Sequence, residues 1–268
     1  MFNGKDEKNT NEIIVKIRIR EVNKAYNVQK GEQLTVLKDI NLSVEEGDFV
    51  VILGESGCGK STLLNLIAGL SLPSSGEIWI DDRKVDGPHS SVSMLFQQPT
   101  LLPWLNVEEN VAFGCRIRGE LADLTYRVKK YIKLVGLSGV EKRHPTELSV
   151  GMGYRVCLAR ALIGHPEVFL LDEPFSALDT FTRTRLQKEI INIWLDNRFT
   201  VFFVTHDIDE AISMGKKIVL LGGKPCRIKK KLDIPLKYPR DIKDESFFYT
   251  RKNILEEFEK TIARDKTM

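Results

Sequence analysis

Apolar positions change their period several times along the chain, and the changes mark out its elements. Residues 12–22 (EIIVKIRIREV) and 35–44 (TVLKDINLSV) read as strands of an antiparallel edge sheet. DFVVILG (48–54) is a short continuous apolar run, as expected of a parallel strand covered on both faces. A glycine-rich loop follows, then a helical pattern in STLLNLIAGL (61–70), and further strands in EIWIDD (77–82) and VSMLFQ (92–97). From about 107 to 163 the pattern turns helical. Leu121, Leu124, Val128, Ile132 and Val135 recur at three- and four-residue steps, and Gly136 is a fitting stop. Strand patterns return in VFLLD (168–172), TVFFVT (200–205) and KIVLLGG (217–223). The last element predicted is a helix over about 245–264, with Phe247, Phe248, Leu255, Phe258 and Ile262 on one face. Alternating strands and helices predict an α/β fold. The expected organisation is a flexible N-terminus (1–12) and one domain (13–264) with a helical subdomain at about 107–163.

Composition narrows the class without naming it. The 268 residues are 42% hydrophobic and 29% charged, ordinary for a globular domain. A net charge of +3 points neither toward nor away from nucleic acid, and Lys229-Lys230-Lys231 reads as a solvated strand or loop face. No apolar run approaches the roughly 18 residues of a membrane span. The polar opening MFNGKDEKNTNE has no signal-peptide pattern. The four cysteines have no metal-ligand spacing and fit a reduced, cytoplasmic setting.

Gly54, Glu55, Ser56, Gly57, Cys58, Gly59, Lys60 and Ser61 fit G-x-x-x-x-G-K-[ST], between a predicted strand and a predicted helix, the context this motif requires. Backbone N–H groups of such a loop, and the positive end of the following helix, attract phosphate. Lys60 is expected to reach the β- and γ-phosphates of ATP, Ser61 to help hold Mg²⁺, and Thr62 to add a donor. Cys58 is a small residue within the loop whose thiol alkylation could block. Downstream, VFLLDEP places Asp172 and Glu173 at the carboxyl end of an apolar strand, the edge where open α/β sheets bind ligands. Adjacent strand residues point to opposite faces, so the two carboxylates are expected to differ in role. Asp172 is assigned to Mg²⁺, through water. Glu173 is assigned to orienting the attacking water as general base.

With Leu148-Ser149-Val150-Gly151-Met152 between these motifs, the chain closely resembles the ATP-binding-cassette family, from about residue 16 to its end. The resemblance implies a phosphate-loop NTPase cassette with a mostly parallel core sheet. It implies that Tyr26 stacks on adenine, and that Gln97 links the metal and water site to the helical subdomain. It further implies that Asp179, ending SALD, communicates across a dimer, and that His206, in VTHD, contacts the γ-phosphate. Ser149 and Gly151 would meet the γ-phosphate held by a second cassette, with a homodimer expected. LLPWLNVEENVAFG (101–114), FSALDTFTRTRLQKEIINIW (175–194) and YPRD (238–241) are similar to importer ATPases for nitrate, sulfonate and taurine. The implied partners are transmembrane permease subunits and, indirectly, a solute-binding protein, at the cytoplasmic face of the cell membrane. No nucleic acid partner is expected. Leu101, Leu102 and Trp104 either receive a permease helix or pack on the cassette's own subdomain.

The sequence departs from the family at Val150, where glycine is usual, and at Gly153-Tyr154. A positive φ at residue 150 would strain a β-branched side chain by about 1–3 kcal/mol. A negative φ would leave the valine only to crowd the opposing nucleotide. Gly153 lowers helix propensity by up to about 1 kcal/mol relative to alanine. The expectation is a slowed ATPase. The competing reading is an ATP-binding regulatory module that turns over slowly or not at all.

Overall fold

The computed structural model describes residues 14–28, 32–176 and 178–266. The expected flexible segment 1–12 lies outside them. The first two strand-like segments form β1 (Val15–Asn27) and β2 (Gln33–Glu45), paired antiparallel. The apolar run becomes β3 (Phe49–Leu53), every residue buried, and the phosphate-loop motif leads into α1 (Lys60–Ile67). β4 (Ser75–Ile80) and β5 (Arg83–Lys84) complete the four-stranded sheet, ordered β2-β1-β4-β5. The chain then enters β6 (Val92–Leu95) and the helical block: α2 (Val107–Ile117), α3 (Leu124–Leu134) and α4 (Val150–Leu162). It returns through β7 (Val168–Asp172), α5 (Thr180–Asn197), β8 (Thr200–Thr205), α6 (Ile208–Met214), β9 (Lys217–Gly222), β10 (Arg227–Asp233) and α7 (Glu245–Lys266).

The larger sheet has the order β10-β9-β3-β8-β7-β6 and is parallel except for β10. Its central strands bury both faces, which is why their sequences are continuous rather than alternating. Phe49, Val51, Phe169, Val201, Phe203 and Ile218 face one core, shared with the helical block and α5. Val50, Ile52, Leu170, Phe202, Val204 and Val219 face the other, under α1 and the antiparallel sheet. Trp194 of α5 anchors the first core, edge-on to Phe49 at 5.5 Å and bonded through its indole N–H to the Gly47 carbonyl at 3.2 Å. Tyr238 of the YPRD segment packs on Trp194 at 5.5 Å, and Arg240 stacks on Tyr238 at 4.0 Å while donating to the Gly215 carbonyl at 2.7 Å. That segment thus clamps α5 to the end of α6.

Local signals account for the helix ends. Asn106 caps α2 in a reciprocal capping box with Glu109. Gly136, at φ +67, stops the chain after α3. Two sequence assignments need correction. Leu121 is not on α3: it is 62% exposed, in the turn before a helix that starts at Leu124. Phe248 is not on the buried face of α7. Adjacent helical residues diverge by about 100°, so with Phe247 buried, Phe248 is 60% exposed and Ile254, one heptad after Phe247, takes the core position. The side chain of Ile262 lies outside the described residues. Lys229, Lys230 and Lys231 fall on β10 with exposed side chains, so of the solvated strand or loop face expected the structure has the strand. No helix among the described residues is long and apolar enough to cross a membrane.

Candidate functional site

The carboxyl ends of β3, β6, β7 and β8 align at one edge of the sheet through the registers Leu53↔Thr205, Asp172↔Val204 and Leu95↔Leu171. The phosphate loop, the acidic pair, Gln97 and His206 therefore leave the sheet together. In the loop, Gly57 and Gly59 take φ of +77 and +114, where side chains are disfavoured. A Cβ on Gly59 would also lie 2.9 Å from Leu37 Cδ2 and 3.0 Å from Val36 Cγ1, because β2 runs against the loop. The Lys60 ammonium, almost fully buried, donates to the carbonyls of Gly54 and Glu55, each at 2.9 Å, coiling the loop around its own charge.

The Ser61 hydroxyl donates to Asp172 Oδ1 at 3.0 Å. Burial pushes the Asp172 carboxyl above the usual range, the Ser61 bond works against this, and the neighbouring Glu173 adds to it. An under-compensated buried carboxylate beside a hydroxyl is a hard-oxygen pair suited to Mg²⁺. Among the described residues no group of three or more His, Cys, Asp or Glu could hold a metal alone. The pair fits an ion that takes its remaining ligands from water and phosphate.

Glu173 adopts the left-handed region, φ 45, while its N–H donates to the Val204 carbonyl at 3.1 Å. For a non-glycine residue that geometry costs about 1–2 kcal/mol. The carboxylate, largely buried, sits with Oε2 3.3 Å from His206 Nδ1 and Oε1 3.8 Å from Lys60 Nζ. The two carboxylates diverge, Asp172 toward Ser61 and Glu173 toward His206. Asp207 follows directly and caps α6 through Asp209 N and Glu210 N, which fixes where β8 ends and His206 projects.

Gln97 lies two residues beyond β6 and is exposed; among the described residues no hydrogen bond joins it to Asp172 or Glu173. Tyr26 is 41% exposed near the end of β1, with Lys24 Nζ 4.9 Å from its ring centre. Ser149, Gly151 and Asp179 gather elsewhere, around a shallow cavity of about 340 Å³ with Val150 and Thr182. Ser149 caps α4 by accepting from Met152 N at 3.3 Å, and Asp179 caps α5 by accepting from Thr182 N at 2.9 Å. No hydrogen bond connects this cluster to the phosphate loop among the described residues. Ser149 and Asp179 thus form a cluster whose lining residues include none of the loop 54–61.

Val150 is the first residue of α4, is not among the positive-φ residues, and is 63% exposed. The backbone-strain possibility therefore falls away, and its side chain stands on the surface beside Ser149 and Asp179. Gly153 faces inward: a Cβ there would meet Pro99 Cβ at 3.4 Å and Leu101 Cδ1 at 3.6 Å. The Tyr154 hydroxyl donates to the Phe96 carbonyl, and Arg160 donates to the Thr100 carbonyl at 2.7 Å. These contacts staple the segment after β6 to α4, the helix that Ser149 caps. The sequence marked Gly153-Tyr154 only as a departure, since Phe96 is remote in the chain. Tyr154→Phe should leave the Phe96 carbonyl without its donor and lower unfolding free energy by about 1–2 kcal/mol. Urea denaturation measures this, and an unchanged midpoint with unchanged slope would show the bond to be worth nothing. Leu101 packs on the helical core, as the second reading of that loop has it, whereas Trp104 is 69% exposed.

The ABC transporter family profile matches residues 37–176. The chain is 46% identical over 243 residues to an aliphatic sulfonates import ATP-binding protein SsuB of Bacillus cereus, covering 91% of this chain and 96% of that protein. It is 45% identical over 247 residues to SsuB of Bacillus subtilis, covering 92% and 95%. It is 41% identical over 239 residues to the taurine import ATP-binding protein TauB of Pseudomonas aeruginosa, covering 86% and 91%. The dimeric post-hydrolysis structure of the ATP-binding cassette MJ0796 bound to ADP and Pi matches with a TM-score of 0.75 at 31% identity, over 82% of this chain and all of that one. These likenesses give no support to a non-hydrolysing regulatory module. With the phosphate loop, the Ser61–Asp172 pair and the Glu173–His206 pair on one sheet edge, the chain belongs to the ABC transporter family and is an ATP-binding ATPase cassette of an importer.

Proposed function

We propose that this cassette powers uptake of aliphatic sulfonates or taurine, working as a pair beneath a transmembrane permease at the cytoplasmic face of the membrane. The sulfonate relatives and the taurine relative support the solute class. The separation of the Ser149 cluster from the phosphate loop supports the pairing, and it is the observation that carries the mechanism. Two chains head to tail bring Ser149 and Gly151 of one over the loop of the other, so ATP bridges them.

In this reading Gly54–Thr62 cradle the phosphates, with Lys60 on the β- and γ-phosphates. Ser61 and Asp172, with Gln97, would hold Mg²⁺, which would supply charge stabilisation for the phosphate oxygens. Tyr26 stacks on adenine. Glu173 orients water and accepts its proton; His206 keeps that carboxylate turned toward the γ-phosphate position. Most of the rate comes from positioning and charge stabilisation. Hydrolysis removes the bridge, and the differing affinity of the pair for ATP and ADP drives the permease, with Trp104 offered toward it.

Reconstitution with the permease and solute receptor tests the reading. ATP hydrolysis should rise when the receptor carries an alkanesulfonate or taurine; stimulation by nitrate alone would reassign the solute. In the same assay Val150→Gly should raise turnover, by less than about tenfold, because only closure of the pair changes. Thermal unfolding should show the variant no more stable, since glycine at an exposed helical position costs roughly 0.5 kcal/mol. Equal turnover in both proteins would free Val150 of any slowing role.

A further inference from the structure

Cys58 lies in the phosphate loop, and Cys226 lies just before β10, the outer strand beside β9. Neither is in a disulfide, and both are buried in the core beneath α1, Cys58 8% and Cys226 1% exposed. The antiparallel sheet brings them together. Cys226 N donates to the Val36 carbonyl at 2.8 Å and Lys38 N to the Cys226 carbonyl at 2.9 Å, seating Cys226 against β2. β2 in turn lines Gly59, where a Cβ would be only 3.7 Å from Cys226 Cβ. The Cys226 side chain is the largest influence on the Cys58 thiol and, with the Lys60 charge acting against burial, brings it down to about 7. Cys115 and Cys157 differ: burial pushes both up, which favours the protonated thiol.

We propose that Cys58 and Cys226 form a reversible dithiol–disulfide switch on the phosphate loop, closed by a hydroperoxide and opened by a dithiol reductant. The Cys58 thiolate attacks one oxygen of hydrogen peroxide, the O–O bond breaks, hydroxide leaves, and Cys58 becomes a sulfenic acid. The Cys226 sulfur then attacks Cys58 Sγ, its proton passing to the departing hydroxyl to form water. The sum is two thiols and one peroxide to one disulfide and two waters. The product fixes Cβ–Cβ near about 3.8 Å. It ties residue 58 to the outer strand within a loop whose N–H groups must close around phosphate. A small oxidant suits a thiol as little exposed as Cys58.

The inference rests on reading Gly54–Thr62 as the nucleotide cradle, and the experiment separates the two. The full-length protein is treated with hydrogen peroxide, digested without reduction and mapped by mass spectrometry, alongside ATP hydrolysis. The expected result is a peptide pair linked Cys58–Cys226, a fall in turnover of at least about tenfold that tracks the cross-link, and recovery with dithiothreitol. Cys226→Ala should keep its untreated turnover and lose the recoverable phase. If that variant does not fold, the wild-type peptide map stands as the test. Absence of the linked pair, or a linked protein with full turnover, overturns the switch. Bound ATP should slow cross-linking; a rate unaffected by saturating ATP instead overturns the cradle reading and leaves the thiol chemistry standing.

Discussion

Glu173→Gln should lower ATP turnover by about 10²–10⁴-fold, the usual worth of a positioned general base. Nucleotide affinity should stay within about threefold, because Glu173 lies 3.8 Å from Lys60 and makes no part of the loop's coil. Glutamine keeps the size and can still hydrogen-bond His206, so the strained turn at residue 173 should persist. Phosphate release under single-turnover conditions and equilibrium binding of labelled ATP separate the two effects. A variant that hydrolyses ATP at half the native rate would remove Glu173 from the chemistry and leave it as a partner for His206. A variant that loses binding as well would place it in the cradle.

Lys60→Met should weaken ATP binding by about 10–150-fold, the equivalent of one charge-assisted hydrogen bond worth roughly 1.5–3 kcal/mol. Methionine retains most of the apolar stem. What disappears is the ammonium that holds the carbonyls of Gly54 and Glu55 at 2.9 Å and that, in the proposed reading, would neutralise phosphate. Asp172 should feel the change too, since the Lys60 charge opposes the rise of its carboxyl pKa; with that charge gone, the group moves further up. Isothermal titration with ATP and Mg²⁺ measures the loss. Affinity within a factor of about two of native would mean that the backbone N–H groups carry the phosphates without the lysine.

The elements carrying the site were legible because their signals are local. A strand buried on both faces must be continuously apolar, and VFLLD and TVFFVT match β7 and β8 to the residue. A loop around phosphate needs glycine at positive φ, and Gly57 and Gly59 are there. Signals failed where two positions competed for one face. Phe248 yielded to Phe247 and Ile254, and Leu121 fell in the turn before α3. β5, α5 and α6 were not predicted, and β10 was anticipated only as a solvated strand or loop face at Lys229–Lys231. α6 is short, and β10 is a mostly exposed lysine-rich edge strand held by its ladder with β9, so its own side chains carry little pattern.

By itself the sequence determined which chemical groups stand at which strand ends: a lysine and hydroxyl after β3, two carboxylates at the end of β7, a histidine after β8. Periodicity and glycine placement are properties of neighbouring residues, and neighbours share a conformation whatever the rest of the chain does. Only the tertiary structure decided what those groups meet. It set Val150 on a helical, unstrained surface, Tyr154 against the carbonyl before Gln97, Ser149 with Asp179 and away from Lys60, and Cys226 against Cys58. Each of those contacts depends on sheet order and on how helices lie across the sheet. That order emerges from burying two cores at once, which no local stretch of sequence encodes.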